Sequence, residues 1–106
     1  MSEVLVFITA ADEAEASKVA DALLDAKLAA CVNILPGLRS LYWWQGRRES
    51  AEEVLLLVKT TEEMLDELTQ AVKSIHSYEV PEVVALPIVG GNPEYLEWIR
   101  GTVRQR

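Results

Sequence analysis

The 106 residues are half hydrophobic and a quarter charged, which fits one globular domain over 1–106 and excludes a disordered chain. A formal net charge of −7 with no Lys/Arg stripe repels a phosphate backbone and argues against nucleic acid as partner. The single cysteine, Cys31, rules out an intrachain disulfide and a thiol-rich metal knuckle.

Residues 1–3 enter the first apolar run without a basic flank, and no apolar run approaches a membrane span. The expectation is a cytoplasmic protein with no membrane partner. Val4-Leu5-Val6-Phe7-Ile8 has the β-branched and aromatic content of a strand. Asp12-Glu13-Ala14-Glu15 reads as a capping box with Asp12 as N-cap, and Ala16, Val19, Ala20 and Leu23 recur at helical spacing. A first helix over 12–26 follows.

Residues 28–44 read as a long second strand broken at Pro36-Gly37, where the missing N–H predicts an edge position or a bulge. Gln45-Gly46 supplies a tight turn, and 47–60 returns as the third strand. Its first half, 47–53, is polar and is expected to project beyond the main sheet, whereas Val54 to Val58 are apolar throughout. Thr60-Thr61-Glu62-Glu63 reads as a second capping box, opening a helix with Met64, Leu65, Leu68, Val72 and Ile75 on one face. His76-Ser77-Tyr78 ends it, and 82–88 forms the last strand. Asn92-Pro93 is an N-cap followed by proline at the first helical position, opening a terminal helix that groups Tyr95, Leu96, Ile99 and Val103.

This order is the split βαβ pattern of an α+β, ferredoxin-like βαββαβ sandwich with an additional C-terminal helix. The first and third strands take the centre of the antiparallel sheet, and both are apolar at every position. Alternate side chains point to opposite faces, so both faces need covering, yet the two main helices cover one. Leu5, Phe7, Leu55 and Leu57 on the open face would each forfeit roughly 1.5–3 kcal/mol if left in water. A tight oligomer is the expected remedy, with the hairpin at Gln45-Gly46 reaching a neighbour.

Ala29-Ala30-Cys31-Val32-Asn33-Ile34, Leu41-Tyr42-Trp43-Trp44-Gln45-Gly46 and Leu57-Val58-Lys59-Thr60-Thr61 resemble the CutA family, the divalent-cation tolerance proteins. So do Tyr78-Glu79-Val80-Pro81-Glu82, Ala85-Leu86-Pro87-Ile88 and Gly91-Asn92, and the resemblance ends with Tyr95-Leu96-Glu97-Trp98. The motifs stand in family order over nearly the whole chain. The resemblance implies a homotrimer of ferredoxin-like subunits, similar in architecture to the PII signalling proteins. It also implies a link to tolerance of divalent metals, with Cu2+ or another divalent cation as ligand. One departure stands out: Ser77 occupies the place where the family commonly has proline between histidine and tyrosine, so the fixed φ is lost.

Cys31 and His76 are the natural soft and borderline metal ligands, and each also has a plain structural reading. Cys31 fits a small buried hydrophobe on a strand, and His76 fits a helix C-terminal residue favoured by the macrodipole. Topology places the two at opposite ends of one subunit's sheet, so a joint site needs two subunits. The candidate metal set is Cys31, His76, Glu79 and Glu82, in an intersubunit cleft completed by Asn33, Lys59 and Tyr78. Glu79 and Glu82, three apart in an extended segment, point to opposite sides and do not preform a carboxylate cage. The Lys59 ammonium suits a carboxylate partner, an anionic ligand or a snorkelling position. Trp43 and Trp44 face opposite ways, one expected in the core and one in the subunit contact. No Gly-rich phosphate loop, nucleophile elbow or HExxH occurs, so no enzyme is expected. A PII-like module binding a small molecule or a protein partner in its clefts is the alternative to metal binding, and a purely structural trimer is the third.

Overall fold

A computed structural model describes residues 2–105; Met1 and Arg106, the ends of the expected domain, lie outside the described residues. The elements run β1 (Glu3–Ala10), α1 (Glu13–Asp25), β2 (Cys31–Trp44), β3 (Arg47–Thr61), a 3-10 turn (Glu62–Met64), α2 (Leu65–Ile75), β4 (Val83–Pro87) and α3 (Pro93–Thr102). The strands form one antiparallel sheet in the order β2-β3-β1-β4, with β1 and β3 central as the sequence predicts.

Strand alternation sets the two faces. Val4, Val6, Ile8, Val54, Leu56 and Val58 turn inward and pack with Ala16, Val19 and Leu23 of α1 and Leu68 and Val72 of α2. The opposite face carries Leu5, Phe7, Leu55 and Leu57, all half-buried, together with Leu35, Val84 and Leu86, which are 55%, 49% and 43% exposed. α3 covers only the end of the sheet at Glu3 and Thr61. It buries Ile99 and Val103 there and ties Arg100 to Glu3 at 2.8 Å. Tyr95, grouped with those residues by spacing, instead stays 42% exposed outside that buried cluster.

Asp12 caps α1 by accepting from the Glu15 N–H at 2.8 Å, but Glu15 reaches back to the Ala11 N–H rather than to Asp12. The helix ends in a Schellman turn: the Leu28 N–H meets Leu23 O at 2.9 Å, and Lys27 takes the left-handed position at φ 56. β2 therefore begins at Cys31, three residues later than the spacing suggests. The expected break at Pro36-Gly37 is a bulge, where the β2–β3 register shifts between Leu35 and Leu38 and Gly37 adopts φ 87. Gln45 and Gly46, at φ 51 and 78, close a two-residue turn of the primed type.

The second capping box does not form. Thr61 is drawn into β3 beside Glu3, its Oγ1 has no partner among the described residues, and a 3-10 turn replaces the first turn of helix. Beyond Val54, β3 has only β2 beside it, so Leu38–Trp44 and Arg47–Glu53 run out as a two-stranded ribbon. Both ribbon tryptophans are exposed, Trp43 at 70%, so neither enters the core of the subunit. The ribbon leaves the helix layer behind and has no core beneath it.

Candidate functional site

The predicted site residues fall into two groups at opposite ends of the open face. At one end, Cys31 sits opposite Lys59, which in turn sits opposite Leu5. Lys59 Nζ lies 4.0 Å from Cys31 Sγ and hydrogen-bonds Asn33 Oδ1, which is itself 3.9 Å from the sulfur. The strand pairing makes this trio, because Cys31 and Asn33 are two apart on β2 and share a face with Lys59. Tyr95 of α3 approaches the same thiol; burial first, and then Cys31, push its phenol above the ordinary range.

At the other end, His76 caps α2 with its backbone already extended. Its side chain is fully buried, with Nε2 2.7 Å from Thr9 O and Nδ1 accepting the Tyr78 N–H at 3.0 Å. This arrangement defines the neutral tautomer with hydrogen on Nε2 and occupies both ring nitrogens, leaving no lone pair for a metal. His76 thus orients the segment after α2. Its ring also packs against Tyr78 in a tilted arrangement, with centroids 4.6 Å apart and planes at 50°. Glu15 completes the frame by accepting the Ser77 N–H at 2.7 Å, a contact that does not require the φ restriction of proline at that position. Burial pushes the Glu15 carboxyl up, but the N–H groups of Ala11 and Ser77 outweigh it and hold the group below its ordinary value.

Thr9 is four residues along β1 from Leu5, so His76 and Cys31 are separated by about 13 Å of strand rise. One subunit does not bring them together. Glu79 and Glu82 are exposed at the His76 end, and no three His, Cys, Asp or Glu side chains converge on a metal position among the described residues.

The same end holds an open groove of about 820 Å³, lined by Ser40, Tyr42 and Trp44 from the ribbon and by Tyr78, Glu79 and Glu82 from the segment before β4. Thr9, Arg39 and Glu53 also line it. Tyr78 Oη donates to Glu53 Oε2 at 2.6 Å. Burial, then this bond and the Glu53 charge, push the Tyr78 phenol far above its ordinary value, so it remains a donor. Glu53, Tyr42 and Trp44 were absent from the sequence-derived site. A signal for two of them was available: positions 42 and 44 on one strand put both rings on one face.

These features define an α+β, ferredoxin-like subunit with an open apolar sheet face and polar clusters at both ends of that face. Within that class the family is shown: a model described as CutA1 divalent ion tolerance protein matches residues 4–102, and the chain belongs to that family. The divalent-cation tolerance protein CutA of Thermus thermophilus is 53% identical over 98 residues, 92% of this chain and 95% of that protein. A chloroplastic protein CutA 1 of Oryza sativa is 47% identical over 96% of this chain, which spans just 58% of that protein's length. The crystal structure of CutA1 from Oryza sativa superposes with a TM-score of 0.96 at 45% identity, covering 100% of this chain and 97% of that one. No described helix is long and apolar enough to cross a membrane.

Proposed function

We propose that this chain works as a homotrimer that takes up divalent cations, copper among them, and supports tolerance of those ions by binding rather than catalysis. The observation that carries the assembly is the open sheet face. Leu35, Val84 and Leu86 stand exposed beside half-buried Phe7, Leu55 and Leu57, and α3 leaves that region bare. A contiguous apolar surface of this kind marks an interaction site. β2 and β4 are also the edge strands of the sheet, and a head-to-tail contact between unlike edges forms a ring when its rotation closes, as a three-fold one does.

Support for the cation comes from the family's description and from the chemistry of Cys31, a half-buried thiol that suits soft and borderline metals. A neighbour's Glu79 or Glu82 would add oxygen donors across the subunit boundary, while His76 holds the segment that carries them. The test is copper titration by calorimetry on wild type, Cys31→Ser and Cys31→Ser/His76→Ala, with assembly mass measured in parallel. Saturable binding in fixed ratio to a trimer, lost with the thiol, is expected. Weak, salt-sensitive binding unchanged by either variant would reduce the effect to the −7 surface charge.

A further inference from the structure

His76 is the chain's single histidine, and its two ring nitrogens meet the backbone in opposite senses. Nε2–H donates to Thr9 O at 2.7 Å, whereas Nδ1 accepts the Tyr78 N–H at 3.0 Å. A proton added to Nδ1 therefore sets donor against donor, and the Tyr78 N–H has to leave. The acceptor at hand for the new N–H is Glu15 Oε2, 3.8 Å away and already accepting the Ser77 N–H at 2.7 Å. The Tyr78 ring lies against the imidazole while its hydroxyl donates to Glu53 Oε2 at 2.6 Å, so displacement of the Tyr78 backbone pulls on that bond as well.

Titratable groups reach the ring from several elements. Glu15 comes from α1 and Tyr78 from the segment after α2, Glu53 of β3 and Tyr42 of β2 stand behind Tyr78, and β1 contributes the Thr9 carbonyl. Glu15, where backbone N–H groups outweigh burial, stays charged near neutral pH, and Tyr78, raised by burial and then by Glu53, keeps its proton. Imidazole is the side chain whose ordinary charge change falls between about pH 5 and 8, so it is the group placed to respond. With no solvent on its side chain, an imidazolium here is costly until it closes on the Glu15 carboxylate, and closing turns Nδ1 away from Tyr78. We propose that His76 is a proton-driven latch: neutral, it holds residues 77–82 closed against α1 and β3; protonated, it exchanges the Tyr78 N–H for Glu15 and releases them. Glu79 and Glu82 lie on this segment, so the latch governs how both carboxylates are presented to a neighbouring subunit. That consequence rests on the intersubunit reading above; the latch itself does not.

The test is nuclear magnetic resonance on the metal-free full chain in its native assembly, titrated between about pH 8 and 5. One histidine gives one set of imidazole signals, followed together with the Ser77 and Tyr78 amides and the Tyr78 ring. The imidazole, both amides and the ring should shift with one common midpoint, while the amides of α1 around buried Val19 stay in place. His76→Gln offers both a donor and an acceptor but gains no proton in this range, so its Ser77 and Tyr78 signals should not move. An imidazole that titrates while the Tyr78 amide stays fixed would overturn the latch, as would one that stays neutral until the protein unfolds. So would a Tyr78 shift that persists in His76→Gln, which would assign the response to the surrounding carboxylates. Because no metal is present, failure of the latch leaves the cation reading to its own titration, and failure of that reading leaves the latch intact.

Discussion

Replacing His76 by alanine separates a framework role from a ligand role. The imidazole is fully buried and makes two backbone contacts, to Thr9 O at 2.7 Å and from the Tyr78 N–H at 3.0 Å. Its removal deprives the Thr9 carbonyl of that contact, a loss of about 1–3 kcal/mol for a buried group left unsatisfied. The Tyr78 N–H is nearer solvent, so its bond is worth only the net value of about 0.5–1.5 kcal/mol. Together these predict a loss of about 2–4 kcal/mol, or roughly 30- to 1000-fold in the folding equilibrium. Urea denaturation at fixed protein concentration and without metal reads the loss directly, since assembly makes apparent stability concentration-dependent. His76→Gln, which can donate and accept through its amide, should recover part of it. A His76→Ala protein of wild-type stability that has lost copper affinity would refute the framework role and restore the imidazole as a metal ligand.

Three other outcomes are expected. Leu86→Lys places a charge on the open face beside Phe7 and Leu5, and should drive the assembly toward smaller species in sedimentation equilibrium at micromolar concentration. Unchanged mass would locate the subunit contact elsewhere. Glu15 has a folded-state pKa below its ordinary value, so its stabilisation is present above the usual carboxylate range and is lost as pH falls through the depressed folded value. Glu15→Gln should therefore flatten the acid limb of the thermal midpoint against pH while lowering the neutral-pH midpoint. Lys27→Gly relieves a side chain held at φ 56 in the left-handed turn after α1, and should raise stability by about 0.5–1 kcal/mol in chemical denaturation.

Much of the fold was legible because periodicity and turn chemistry act locally. The alternation within β1 and β3, the Asp12 and Asn92 caps, the Pro36-Gly37 bulge and the Gln45-Gly46 turn all lie where residue type requires them. The box at Thr60-Thr61-Glu62-Glu63 failed for a nonlocal reason: pairing of β3 with β1 continues through Thr60 to Thr61 opposite Glu3, the Thr60 hydroxyl donates to Leu28 O, and that ladder outweighs a cap. The tryptophan expected in the core was misplaced because adjacency on a strand fixes opposite directions but not what lies beneath them, and the ribbon extends past the helix layer.

The candidate site divides along the same line. Sequence alone determined that Cys31 and His76 could not meet within one subunit, since strand direction suffices for that, whereas the β2–β3 register that sets Lys59 opposite Cys31 is a property of the folded sheet. Only the tertiary structure decided that both nitrogens of His76 are spent on backbone partners 67 and 2 residues away. It alone decided that Tyr78 closes on Glu53, 25 residues away, to leave a buried carboxylate facing an aromatic groove. Hydrogen-bond satisfaction and desolvation depend on which distant atoms arrive at a point, and that is settled by how the layers pack.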